Sequence, residues 1–210
     1  MIHPLQILDQ HFVLHPSGVL FWEESKLLFL SDVHLGKVSH FRKYGAAIPR
    51  KAIQANFGLL DSCLDYFAPE KLCFLGDLFH SYLNAEWQLF ETWVKNQSCP
   101  MLLIEGNHDI ISPLKYEALG IRLLPELTLG PFLFTHQPEE REGYFTISGH
   151  VHPAIKLRGP GRQSLRLPCF FKSASQLILP AFGSFTGMHA LVKEDGHEVY
   201  AIADQQVIKI

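Results

Sequence analysis

Five short apolar runs in this chain each end in residues that can hold a metal ion, and few folds accommodate such a pattern. Leu27 to Ser31 runs into Asp32-Val33-His34, and Leu72 to Gly76 runs into Asp77. Met101 to Gly106 leads to Asn107-His108-Asp109, Phe132 to Thr135 to His136, and Phe145 to Gly149 to His150-Val151-His152. A short apolar run bounded by polar residues or glycine predicts a buried strand. Strands that each deliver Asp, Asn or His at the same end build one pocket. Taken singly the elements are weak. A D-x-H triplet arises readily by chance, and an Asp after a strand is commonly a turn residue or a helix cap. Their order, each after its own apolar run, would otherwise require independent coincidences.

A mixed set of carboxylate, imidazole and amide ligands suits divalent cations such as manganese, iron or zinc. Two such cations held close together lower the pKa of water toward neutrality and cut phosphate esters. The chain has a net charge of -3 and so no overall basic footprint. That weighs against extended binding to a nucleic-acid backbone but not against local binding. Two divalent ions bring about +4, and two ligand Asp with one hydroxide bring about -3, leaving a locally positive pocket.

The length of 210 residues, with 47% hydrophobic and 12% aromatic residues, predicts one folded domain over residues 1 to 210. No apolar stretch approaches the roughly 20 residues of a membrane span, and the first residues lack the features of a secretory signal. Cys63, Cys73, Cys99 and Cys169 show no paired spacing. They read as reduced thiols of a cytoplasmic protein with no membrane partner.

Periodicity predicts two short strands over residues 11 to 22 around His15-Pro16-Ser17-Gly18 and a core-facing helix over 50 to 67. A second helix is expected over 85 to 97, capped by Asn84, and a short third between Pro113 and Gly120. Strands dominate from Arg122 onward, and Asp195-Gly196 reads as a hairpin turn joining 191–193 to 199–202. Early alternation of helix and strand followed by strands alone fits an α/β, two-sheet αββα sandwich with the pocket at one edge.

The ordered series D-x-H, G-D, G-N-H-D, T-H, G-H-x-H resembles the calcineurin-like metallophosphoesterase superfamily. Further stretches narrow this: Leu35-Gly36-Lys37 with Phe41-Arg42 and Gly45, Gly76-Asp77-Leu78-Phe79-His80-Ser81, and the segment from Leu179 to Gly187. Together they resemble the bacterial ligase-associated DNA damage response endonuclease family called PdeM. The resemblance implies that Asp32, His34, Asp77 and His152 hold one metal, most commonly Mn2+. It implies that Asp77, Asn107, His136 and His150 hold the other, with Asp77 bridging. It further implies DNA, single-stranded above all, as substrate, a role in DNA repair, and functional association with a ligase, a helicase and an exonuclease. The residues accord with the ligand sets. A carboxylate has two oxygens for two cations, and Asn107 adds a neutral oxygen. Gly149 is expected to supply the backbone turn that sends His150 and His152 to different metals.

His108 is left without a metal in this scheme. It is the candidate to protonate the leaving oxygen, with Asp109 placed to orient it; a plain turn histidine is the bland reading. His80 lies in a G-D-L-F-H stretch that resembles double-strand-break repair nucleases, where the histidine approaches the scissile phosphate, although a solvated loop histidine would look the same. Lys37, His40, Arg42 and Lys43 follow the first motif, and Lys156, Arg158, Arg162 and Arg166 follow His152. Lys37, Arg42, Arg158 and Arg162 are the candidate substrate contacts; charge runs of this kind also occur on ordinary solvated surfaces. The expected function is thus two-metal phosphodiester hydrolysis, on DNA. Two alternatives are a phosphatase or phosphodiesterase of small nucleotides, and a non-catalytic scaffold on the same fold. The scaffold reading predicts gaps in the ligand set, and the sequence has none.

Overall fold

The structure is a computed structural model that describes residues 1–37, 51–80, 82–183 and 186–210, with the side chains of residues 51, 52 and 162 set aside. Arg42, together with His40 and Lys43, lies outside the described residues. So does the side chain of Arg162.

The first sheet has seven strands in the order of the chain: β1 (His3–Ile7), β2 (Gln10–Leu14), β3 (Leu20–Trp22), β4 (Leu27–Leu30), β5 (Lys71–Leu75), β6 (Met101–Ile104) and β7 (Arg122–Leu124). β1 to β4 form an antiparallel meander, and β4 to β7 run parallel. The helices α1 (Lys51–Phe67), α2 (Ala85–Lys95) and α3 (Pro113–Glu117) form in and around the parallel crossovers. Asn84 caps α2 by accepting from the Glu86 amide at 2.8 Å, and Pro113 opens α3. Both features follow the sequence expectation.

The second sheet contains β8 (Leu127–Leu129), β9 (Phe132–Phe134), β10 (Phe145–Ser148), β11 (Pro153–Arg158), β12 (Ser164–Lys172), β13 (Gln176–Ile178), β14 (His189–Leu191), β15 (Glu198–Ala203) and β16 (Gln206–Lys209). The path runs β14-β11-β12-β13-β10-β9-β8, and β15 and β16 extend from β12.

Alternation along the strands decides what each face packs against. In β4, Leu27 and Phe29 face the second sheet, where Phe29 stacks on Phe134 with ring centroids 4.3 Å apart. Leu28 and Leu30 face the helices, with Leu60, Trp87 and Phe90. Strands buried on both faces read as unbroken apolar runs, which is why β4, β5 and β6 stand out in the sequence. All three described helices contribute to the cluster on the outer face of the first sheet. The outer face of the second sheet carries a smaller cluster around Ile155, Cys169, Phe171 and Val199. The described layers therefore run helix, sheet, sheet. All four cysteines are free.

One predicted hairpin is not formed. Asp195-Gly196 is a turn, but β14 runs parallel to β11, while β15 pairs antiparallel with β12 and β16. The actual C-terminal hairpin turns at Asp204-Gln205, with φ of 47° and 60°. Two successive positive φ values match the twist of flanking strands whatever residues adopt them. The sequence signal was therefore on the wrong pair.

Candidate metal centre

The C-terminal ends of β4, β5 and β6 point the same way because the three strands are parallel, and so do those of β9 and β10. Asp32, Asp77 and Asn107 follow the first three; His136 and His150 follow the other two, and His152 directly precedes β11. Hydrogen bonds join the two sheets at this edge. Phe182 donates its amide to the Ser31 carbonyl at 2.8 Å, and the His150 amide donates to Asp32 Oδ2 at 2.9 Å.

Two clusters of potential metal ligands result, each with its ligand atoms within 4.8 Å of one another: Asp32, His34 and His152, and Asp77, His136 and His150. Asn107 adjoins the second, its Oδ1 3.0 Å from His136 Nε2.

Five of the seven predicted ligands have a left-handed backbone: Asp32 (φ 55°), His34 (50°), Asp77 (50°), His150 (66°) and His152 (52°). Asp and His tolerate this region better than most residues, yet it stores strain that surrounding structure must support. The backbone thus turns at the ligands themselves. Gly149 was expected to provide the turn between His150 and His152, but its φ is not positive. Its role is close approach: a Cβ there would lie 1.6 Å from Ser31 Oγ and 2.7 Å from Asp32 Oδ2. Gly106 does the same between β5 and β6, where a Cβ would lie 2.2 Å from the Asp77 amide nitrogen.

Second partners orient the imidazoles, and these are backbone groups that no sequence motif records. His136 Nδ1 lies 2.8 Å from the Leu75 carbonyl and His152 Nδ1 3.1 Å from the Gly187 carbonyl. Each ring must donate there, so in the neutral ring Nε2 carries the lone pair. His136 Nε2 then faces Asn107 Oδ1, His150 Nδ1 at 3.1 Å and Asp77 Oδ1 at 3.4 Å. In the other cluster, His34 Nε2 and His152 Nε2 are 3.3 Å apart. His152 Nε2 also lies 3.2 Å from Asp32 Oδ1, a buried oxygen without a hydrogen bond. Converging lone pairs of this kind repel unless a cation sits among them, so the donor sets fit divalent metals.

The titration behaviour agrees. Burial pulls His34 down to about 3, keeping it a neutral ligand. Burial alone would raise Asp32, but the adjacent His152 ring, with the Ser31 hydroxyl at 2.5 Å, holds it below the usual carboxylate range. His152 is raised in turn, because Asp32 outweighs its desolvation.

His34, His80 and His108 form a triangle beside the ligands, with ring centroids 5.2 to 5.8 Å apart. His108 is exposed and its amide donates to Asp77 Oδ1 at 2.9 Å, which ties the turn to the ligand. Asp109 is placed differently from expectation. Its two oxygens accept from the amides of Phe79, at 3.1 Å, and Gly106, at 2.9 Å, and burial raises it to about 6. Asp109 thereby ties the turn that carries His108 to the second motif. Lys37 is half-buried, and its charge lowers the basicity of both His34 and His152. Lys156 and Arg158 lie on β11, exposed and farther along the strand that starts beside His152. The sequence reading missed Ser31 and also Glu86, whose buried Oε2 accepts from the Gly36 amide at 2.7 Å just after the first motif.

The calcineurin-like phosphoesterase family matches residues 25–172 of the chain. No curated protein sequence matches it. Among solved structures, the chain is similar to the Pseudomonas putida nuclease MPE, with 29% identity, a TM-score of 0.85 and full coverage of both chains. That match is consistent with the narrower PdeM-like resemblance. A phosphoesterase from E. coli, Yfce, is 16% identical with a TM-score of 0.45 over 88% of this chain and 97% of that one; so distant a likeness carries no argument. Two Asp- and His-rich ligand clusters at the strand ends and a family match spanning most of the chain lead to one conclusion: this chain belongs to the calcineurin-like phosphoesterases and is a metal-dependent phosphoester hydrolase.

Proposed function

We propose that this chain is a two-metal phosphodiesterase that cuts DNA, single strands above all, as a cytoplasmic DNA repair nuclease. The observation that carries the reading is the juxtaposition of the two ligand clusters with exposed cations, Lys156 and Arg158, on the strand that leaves the site. Such spread charge is useful only to a substrate that continues beyond the scissile phosphate. The nuclease named in the full-length structural match supports a nucleic-acid substrate. By the family resemblance the chain works with a DNA ligase, a helicase and an exonuclease.

In this proposal Asp32, His34, Asp77 and His152 would hold one cation and Asp77, Asn107, His136 and His150 the other, so that Asp77 belongs to both sets; Mn2+ is the proposed metal. When bound, the metals supply an activated water and neutralise charge on the phosphate. The Leu75 and Gly187 carbonyls keep the lone pairs of His136 and His152 turned into the site. His108 gives a proton to the leaving oxygen, and Asp109 holds the turn that presents it. His80 and Lys37 contact the scissile phosphate, Arg42 adds charge after the first motif, and Arg158 and Arg162 hold the strand farther out.

Cleavage of single-stranded, duplex and mononucleotide substrates, compared across Mn2+, Fe2+ and Zn2+, tests this. Oligonucleotides should be cut faster than mononucleotides, and diesters faster than monoesters. Faster cleavage of mononucleotides, with no DNA binding at low salt, would replace the DNA reading with that of a small-nucleotide hydrolase.

A further inference from the structure

Ala181, Gly183, Thr186 and Gly187 hold no metal, yet they line a cavity of about 240 Å³ beside His152. Pro153 and Pro168 also line it, and so does Met188, 41% exposed. His152, which lines the cavity, has its Nε2 3.2 Å from Asp32, so the cavity borders the first ligand cluster.

Its chemistry is unlike that of a phosphate site. Among the described residues, every lining residue apart from His152 is uncharged. The Gly187 carbonyl is engaged by His152 Nδ1, and the Met188 carbonyl accepts from Arg166 Nη1 at 3.4 Å. What remains is an apolar slot with a thioether, which packs well against aromatic rings, and the Thr186 hydroxyl. Drug-sized ligands occupy roughly 300–1,000 Å³, so this space takes one ring system and not a whole nucleotide.

The register adds direction. Pro168 pairs with Ala154 and Arg166 with Lys156, and Arg158 pairs with Ser164. Cross-strand partners share a face, and so do residues two apart. Pro168 of the cavity wall, then Lys156 with Arg166, then Arg158 therefore follow one another on a single face of the β11–β12 ribbon, at steps of roughly 6.6 Å. An uncharged slot followed by regularly spaced cations suits a base followed by the next phosphates of its strand.

We infer that this cavity is a nucleobase subsite that receives the base next to the scissile phosphate and sets which linkage is cut. The inference rests on the phosphodiesterase reading above. The ring must be aromatic and uncharged, and its strand leaves along the Lys156–Arg158 face.

The test uses the full-length, metal-loaded protein. Its substrates are short single strands with one phosphodiester among phosphorothioate linkages, intact or with the base on either side of that bond replaced by hydrogen. Loss of one of the two bases should lower kcat/KM about tenfold, the scale of a single base contact, and loss of the other should matter little. Thr186→Leu, which fills the slot, should bring the intact substrate down to the abasic rate while metal content stays at the wild-type value; Ala181→Leu, filling it from another side, should do the same. Equal rates with and without either base, or a loss in both variants that leaves the base preference intact, overturns the cavity assignment while phosphodiester cleavage stands. If neither these strands nor an aryl phosphodiester is cut, the phosphodiesterase reading itself fails.

Discussion

Asp77 is buried between the turn of His108, whose amide it accepts, and the His136 ring. If it bridges, its loss is felt at both metals. Asp77→Ala should therefore drop bound metal at both positions, read by elemental analysis of the purified variant; two metals per chain at unchanged affinity would remove the bridge. His108 is close to the ligands without belonging to either cluster. His108→Ala should keep near-normal metal content and slow cleavage by about 10²- to 10⁴-fold, the range for a general acid. The loss should shrink on aryl phosphates, whose leaving groups need little protonation; an equal loss on both points to another role. Gly149 belongs to the residue scale as well. Gly149→Ala must displace Ser31 and Asp32, so it should cost about 1–3 kcal/mol, as overpacking does, and lower metal binding. Urea melts and metal analysis check this together.

Among the elements, the β11–β12 ribbon and the β12–β15–β16 corner have separable roles. Lys156 and Arg158 are exposed on one face of the ribbon, while Ile155 on the other joins a core cluster. Each phosphate contact on a single strand contributes about -0.7 to the log-log salt slope of binding. Replacing Lys156 and Arg158 with Ala should make the slope shallower by about 1.4 and leave hydrolysis of a small aryl diester nearly unchanged. An unaltered slope would take the ribbon out of the DNA track. In the corner, Glu198 on β15 accepts from Lys172 of β12 at 2.6 Å, from Lys209 of β16 and from Tyr200 at 2.9 Å. The Lys172 and Lys209 hydrogen bonds hold its carboxyl at about 2, below the ordinary 4.5. A depressed carboxylate stabilises the fold above its unfolded pKa and loses that contribution as pH falls through its folded one. Glu198→Gln should therefore melt below the wild type at pH 7, and the gap should close between pH 4.5 and about 2. A gap that persists at pH 2 would mean that packing, not charge, is responsible.

For the whole molecule, the metal centre is also a clasp. It draws ligands from both sheets, and the Phe182 amide and the His150 amide cross between them at the same edge. A metal present at about a hundredfold its Kd stabilises the folded state by about 2.7 kcal/mol per site. In a chain of this size that corresponds to a Tm shift of about 5–10 °C. Chelation, which empties both sites, should lower Tm by about 10–20 °C and re-addition of Mn2+ should restore it, followed by calorimetry; an unchanged Tm would argue that the clusters bind no metal.

Residue type alone showed which strands are buried and which of their ends carry Asp, Asn and His side chains that cluster. Strands covered on both faces must be apolar throughout, and the first polar residue after each marks its end. Asp32, Asp77, Asn107, His136 and His150 were legible for that reason, as were the helices around Trp87 and Phe90. The path of the C-terminal strands was not legible, because Asp195-Gly196 specifies a turn but not the partner of the strands beside it, and β12 competes for β15. Nor were the left-handed turns at the ligands, the carbonyls of Leu75 and Gly187 or the contact that only Gly149 permits. Each depends on backbone atoms from segments far apart in the chain, and backbone groups are the same in every residue. Their placement leaves no trace in residue type and exists only once the two sheets are packed.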